Sequence, residues 1–134
     1  MKIFLGGTCN NSTWREELIP LLNIEYFNPV VKDWTPECQA EEIKQREECG
    51  YCLYVLTPKM TGYYSIAEVV DDSNKRPEKT VLCILPEDED DDSVYEWTSH
   101  QIKSFQAVAK LVAANGGYCT DNLEAVAKFV NDPF

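Results

Sequence analysis

An α/β fold built on a parallel sheet is the architecture this sequence predicts, on three observations. Short apolar runs rich in β-branched and aromatic residues alternate with helical segments along the chain. Runs of that composition suit strands buried on both faces. The 134 residues, 44% hydrophobic and 26% charged, match an average soluble globular domain. A chain of this size buries about two-thirds of its unfolded surface without a disulfide or metal, so a single domain over residues 1–134 is expected.

The elements follow in order. A first strand over residues 2–5 stops at Gly6-Gly7. Ser12 then serves as N-cap of a helix through residue 22, with Glu16 and Glu17 in its opening turns and Pro20 positioned to shorten it. A second strand spans residues 25–31 and breaks at Lys32-Asp33-Trp34-Thr35-Pro36. Thr35 caps a helix from Pro36 to Glu48, on which Glu41, Glu42, Lys44, Arg46 and Glu47 form a solvated face. Residues 51–56 are the best central strand. A helix carrying Ile66, Ala67, Val69 and Val70 ends near Asn74, and a fourth strand covers residues 80–85 up to Pro86. The acidic run 87–92 reads as a solvated connection, and a long helix starts at about Ser93 and reaches Ala114 on a stripe of Ile102, Phe105, Val108 and Val112. Asn115-Gly116-Gly117 stops it, residues 118–120 form a short strand, and Asp121 caps a last helix through Phe129 and Val130.

Five strands joined by right-handed helical crossovers give a flavodoxin-like, doubly wound five-stranded parallel sheet with helices on both faces. In such sheets the ligand crevice lies at the carboxyl ends of the strands, beside the point where strand order reverses. That rule selects three loops, residues 6–12, 28–35 and 57–65. The first places Gly6, Gly7 and Thr8 before a helix N-terminus, which suits close approach to a phosphate or sugar and equally suits a tight turn. The third leads into a helix start where Glu68 follows Ser65 by one turn among apolar neighbours. A carboxylate there is either chemical or an ordinary acid favoured by the helix dipole.

Composition excludes several functions. Twelve Lys and Arg against 23 Asp and Glu leave a net charge of −11, which repels a nucleic-acid backbone. The N-terminal apolar stretch is too short for a signal peptide or a membrane span, so a cytoplasmic protein with no membrane partner is expected. The six cysteines then read as reduced thiols, and Cys49-Gly50-Tyr51-Cys52 lacks the second ligand pair that zinc requires. Neither a metal nor a cofactor is expected.

The stretch Thr61-Gly62-Tyr63-Tyr64-Ser65-Ile66-Ala67-Glu68-Val69-Val70 stands between the strands YCLYVLT and TVLCIL. Together with IFLGGT and NPVVKDW it resembles the nucleoside 2-deoxyribosyltransferase-like family over roughly residues 1–86. The resemblance implies cleavage or transfer at the N-glycosidic bond of a nucleoside or its 5′-monophosphate, with Glu68 as nucleophile. It further implies Asp33 at the leaving base, Ser65 toward a 5′-phosphate, and Gly6, Gly7 and Thr8 on the sugar and phosphate side. Of the aromatics Trp14, Tyr26, Trp34, Tyr63 and Tyr64, any of which suits stacking on a base or equally a core or interface, Trp34 and Tyr64 are taken as the base-binding candidates. The family completes its site from a neighbouring subunit, so a homo-oligomer is implied. Its transferases also carry an aspartate shortly before the nucleophile, where this chain has Thr57 to Gly62 and no acid. The alternative is a catalytically silent domain that binds a nucleotide or nucleotide sugar.

Overall fold

A computed structural model describes residues 1–9 and 11–131 of the chain. Its elements run β1 (Lys2–Gly7), α1 (Trp14–Leu18), β2 (Glu25–Phe27), α2 (Pro36–Glu48), β3 (Tyr51–Leu56), α3 (Tyr64–Lys75), β4 (Thr80–Ile84), β5 (Glu87–Glu89), β6 (Val94–Glu96), α4 (Ser99–Ala114), β7 (Tyr118–Thr120) and α5 (Leu123–Asn131). The uncharged run YCLYVL of β3 is buried at all six positions, as a central strand must be. It pairs with β1 on one side and β4 on the other. The five-stranded sheet has the order β2-β1-β3-β4-β7 with every pairing parallel, the flavodoxin-like, doubly wound arrangement.

Two cores sandwich the sheet. On one face Trp14 and Leu18 of α1 and Val126 and Val130 of α5 cover Ile3, Leu5, Leu53 and Val55. On the other, Val69 of α3 and Phe105 and Val112 of α4 cover Phe4, Tyr54, Leu56 and Leu82. The helix α2 differs from these because it carries almost no apolar stripe; its buried side chains are Gln45 and Arg46. Thr35 caps it by accepting from the Cys38 amide at 3.3 Å.

Several boundaries depart from the sequence reading for identifiable reasons. β1 continues through Gly6 and Gly7, which pair with Tyr54 and Val55 of β3. A side chain there is excluded: a Cβ at Gly6 would stand 2.8 Å from the Tyr54 ring, and one at Gly7 would stand 2.1 Å from the Val55 carbonyl oxygen. β2 ends at Phe27 rather than Val31, because Pro29 has no amide to donate and Asn28 Oδ1 takes the Val30 amide instead. Ser12 does not cap α1; its hydroxyl donates to Asp88 Oδ2 at 2.6 Å. Past Leu18 the chain tightens into a 3₁₀ turn over Ile19–Leu21, around Pro20. Asn122, not Asp121, caps α5, its side chain accepting from the Ala125 amide at 2.7 Å.

The largest departure is the acidic run. It forms an antiparallel hairpin, β5 against β6, rather than a loop leading into a helix. Asp90 closes its turn, accepting from the Asp92 and Ser93 amides at 3.0 Å each. The long helix therefore starts only at Ser99, behind a capping box in which Thr98 and Gln101 satisfy each other's amides.

Gly7 sits at a φ of 115°, and the Val55 backbone fills the space that a Cβ would need. Gly7→Ala adds both an unfavourable backbone conformation and a backbone overlap, and is expected to cost about 2–4 kcal/mol. The check is the urea midpoint of the variant against the wild type; an unchanged midpoint would refute this account of the turn.

Candidate active site

The amphipathic pattern of α3 turns Val69 into the core and leaves Glu68 facing α2. Its side chain is 14% exposed, and Glu68 Oε2 lies 3.6 Å from Nη1 of Arg46. Around this pair α2, α3 and the loop before α2 enclose a cleft of about 390 Å³ lined by Trp34, Gln39, Glu42, Ile43, Arg46, Tyr64 and Glu68. Trp34 and Tyr64 are 58% and 69% exposed, so both aromatic faces are open to a flat ligand.

Beneath the cleft lies a buried polar cluster centred on Asp72, one turn after Glu68 on α3 and fully buried. Arg46 donates to it through Nη2 at 2.9 Å and through Nε at 3.3 Å. The Tyr54 hydroxyl donates to Asp72 Oδ2, and Arg76 Nε stands 3.2 Å from Oδ1. Arg46 Nη2 also reaches Asp71 Oδ2 at 3.1 Å. Burial opposes the charge on Arg46, but its hydrogen bonds to Asp72 and the surrounding negative charge outweigh that and hold the guanidinium firmly protonated. Burial pushes the Tyr54 phenol well above its ordinary range, and Asp72 adds to it.

Glu68 answers to the same forces with a different balance. Burial raises its pKa most, Arg46 pulls it back, and the charges of Glu42 and Asp72 push it up again, to about 7. A carboxyl poised there changes protonation near neutral pH, as functional acids and bases often do.

The other predicted site residues fall in three places. Asp33 is exposed, next in the chain to Trp34, and does not line the cleft. Ser65 is half-buried on the first turn of α3, also outside the lining. Gly6, Gly7 and Thr8 join the ends of β1 and β3. The Thr8 amide donates to the Val55 carbonyl at 2.9 Å and its hydroxyl accepts from the Thr57 amide at 2.9 Å. The Thr8 carbonyl accepts from Trp14 Nε1 and Arg15 Nη1, each at 2.8 Å. Of the predicted set, Glu68, Trp34 and Tyr64 are thus brought into one cleft.

Sequence reasoning missed Arg46, Glu42, Asp72 and Tyr54. Arg46 does not belong to a solvated face, since its side chain is only 10% exposed. Two signals existed. Glu68 and Asp72 are spaced i, i+4, which puts two carboxylates on one face of α3, and a helix as polar as α2 needs a polar attachment.

The cysteine pair flanks the start of β3 beneath the end of α2, where the Cys52 thiol donates to the Arg46 carbonyl at 3.1 Å. Both thiols are buried and unpaired; burial raises Cys49, and burial with the Asp72 charge pushes Cys52 up to about 12. Thiols so poorly ionised are weak nucleophiles and metal ligands. Among the described residues no cluster of three or more His, Cys, Asp or Glu is arranged to hold a metal ion. No described helix is long and apolar enough to cross a membrane.

Fold and cleft define an α/β protein with a doubly wound parallel sheet and a partly desolvated carboxylate between two helices of one face. A family model described as nucleoside 2-deoxyribosyltransferase like matches residues 1–87, about two-thirds of the chain, and the protein belongs to that family. The matched segment runs from β1 to the first residue of β5 and contains every residue lining the cleft. Membership supports a nucleoside-related transferase chemistry. A search of curated proteins finds no match.

A carboxyl raised from 4.5 to about 7 is more easily ionised in the unfolded chain than in the folded one. The stability associated with its neutral form is fully present below about pH 4.5 and is lost as pH rises through about 7. Glu68→Gln, which mimics the neutral form, should therefore match the wild type near pH 4 and exceed it above pH 7 by up to about 3 kcal/mol. Denaturation curves at the two pH values check this; a variant less stable than wild type at pH 8 would refute it.

Proposed function

We propose that the protein cleaves or transfers at the N-glycosidic bond of a (deoxy)nucleoside or its 5′-monophosphate, with Glu68 as nucleophile. The observation that carries this reading is a half-buried carboxylate in the wall of a cleft flanked by two open aromatic rings, within the segment that places the chain in its family. The base stacks against Trp34 or Tyr64, which sets the sugar's anomeric carbon toward Glu68. The ionised Glu68 attacks that carbon as the bond to the base breaks, and the base departs with the bonding electron pair. Asp33, beside Trp34, handles the proton of the leaving base. The resulting sugar ester on Glu68 is then opened by an acceptor base or by water, which restores the carboxylate.

Ser65 is assigned to a 5′-phosphate, and Gly6, Gly7 and Thr8 to the sugar side, as the family resemblance implies, although none of them lines the cleft around Glu68. Residues 1–134 act as one unit, and a second copy of the chain completes the site in a homo-oligomer. The ligand is a small molecule handled without cofactor or metal, in the cytoplasm.

Incubation with one deoxynucleoside and a different free base separates the outcomes. An exchanged nucleoside identifies a transferase, and free sugar identifies a hydrolase of the same bond. Neither product would overturn the catalytic reading and leave a nucleotide-binding domain. Glu68→Ala should abolish turnover in a folded protein, and full activity there would remove Glu68 from the mechanism. Asp33→Asn should slow turnover by about 10²- to 10⁴-fold, measured as initial rates; an unchanged rate would return Asp33 to the role of a turn residue.

A further inference from the structure

We infer that Arg46 is a positioning residue for Glu68, a buried guanidinium that pairs with the nucleophile in charge while a second carboxylate, Asp72, occupies its hydrogen-bonding edge. The inference rests on the reading of Glu68 as nucleophile. A carboxylate removed from water turns neutral unless a cation faces it, and a neutral carboxyl is no nucleophile. A guanidinium that grips a carboxylate in two short hydrogen bonds occupies the lone pairs that would attack. The geometry here limits the first outcome and avoids the second. Nη1 stands 3.6 Å from Glu68 Oε2, past hydrogen-bond distance, whereas Nε and Nη2 are committed to Asp72 at 3.3 and 2.9 Å.

Asp72 is itself fixed from three sides, by Arg46, by the Tyr54 hydroxyl from β3 and by Arg76 at the end of α3. The guanidinium plane is therefore set by the core of the protein, and Glu68 receives a cation whose position does not depend on ligand. Glu42, one turn before Arg46 on α2, faces the same cleft with the opposite sign. Glu68 thus feels Arg46 and Glu42 from α2, Tyr54 from β3 and Asp72 from its own helix. A fork is required here: Lys offers a point charge that cannot serve Asp72 along one edge and Glu68 along another.

The test has two readouts, a ¹³C-carboxyl NMR titration of Glu68 in the ligand-free protein and the pH profile of kcat/KM for base exchange. Arg46→Gln should raise the Glu68 titration midpoint by one unit or more and carry the acid limb of the profile upward with it. Glu42→Gln, which disturbs no buried ion pair, should move both downward. Arg46→Lys should hold the midpoint within about half a unit of wild type while kcat falls tenfold or more at unchanged KM. An unmoved midpoint in folded Arg46→Gln, or full kcat in Arg46→Lys, overturns the inference. Should Arg46→Gln fail to fold, Arg46→Lys decides through its split between kcat and the midpoint. The titration needs no turnover, so a protein that yields neither exchanged nucleoside nor free sugar would refute the proposed function while the coupling of Arg46 to Glu68 is still judged.

Discussion

The ion pair between Arg46 and the fully buried Asp72 is the interaction on which the site depends. Most helices here reach the sheet through apolar side chains, but α2 buries only Gln45 and Arg46. Its attachment to α3 therefore runs through a charge. Such a pair is tolerable away from water only when hydrogen bonds and further charge surround it. The Tyr54 hydroxyl donates to Asp72 and Arg46 donates to Asp71, while Arg76 Nε adds charge beside Asp72 and is itself buried without a hydrogen-bond partner. Removing one member strands a buried charge, a loss of about 3–5 kcal/mol in comparable settings. The cleft that holds Glu68 is the gap this attachment leaves between two helices that do not interlock through apolar side chains.

At the carboxyl ends of β1 and β3 a second set of polar links does a similar task with backbone atoms. Thr8 connects the two strand ends, and buried Arg15 donates to the Leu5 and Thr8 carbonyls. Lys59 extends this network to the acidic hairpin. Its ammonium donates to the carbonyls of Asn11 and Glu89 at 3.2 and 3.1 Å, stands within 4.0 Å of Asp88 and Asp90, and lies over the Tyr95 ring. The loops after β1 and β3 are thus tied to a segment beyond the family match by one lysine, and part of the hairpin's negative charge is matched on the spot.

Legibility in the sequence tracked how local the determining physics was. β3, β7 and α2 have the boundaries read from the chain, since a continuous apolar run, a glycine stop and a Thr-Pro start each act within a few residues. The hairpin was not legible because like charges argue for solvent, and the cation that offsets them, Lys59, lies about thirty residues away. Within the site, Glu68, Trp34 and Tyr64 were found on their type, their loops and a family resemblance. Arg46 was missed because an arginine amid Glu41, Glu42, Lys44 and Glu47 is indistinguishable from a surface charge until α3 brings Asp72 against it.

The two acids of α3 show how depth separates roles that residue type leaves open. Glu68 and Asp72 share a helix face and the same guanidinium. Asp72 is a turn deeper and fully buried, accepting from Tyr54 and Arg46 with the charge of Arg76 beside it; an acceptor so enclosed is out of reach of a ligand and serves as structure. Glu68 stands at the boundary. It is desolvated enough for its charge to be costly, near enough to Arg46 to be stabilised when charged, and open to the cleft on its remaining side. One arginine placed between a deep carboxylate and a shallow one therefore serves two ends: the deep contact fastens the helix, and the shallow one favours the charged form of a reactive group that it does not grip.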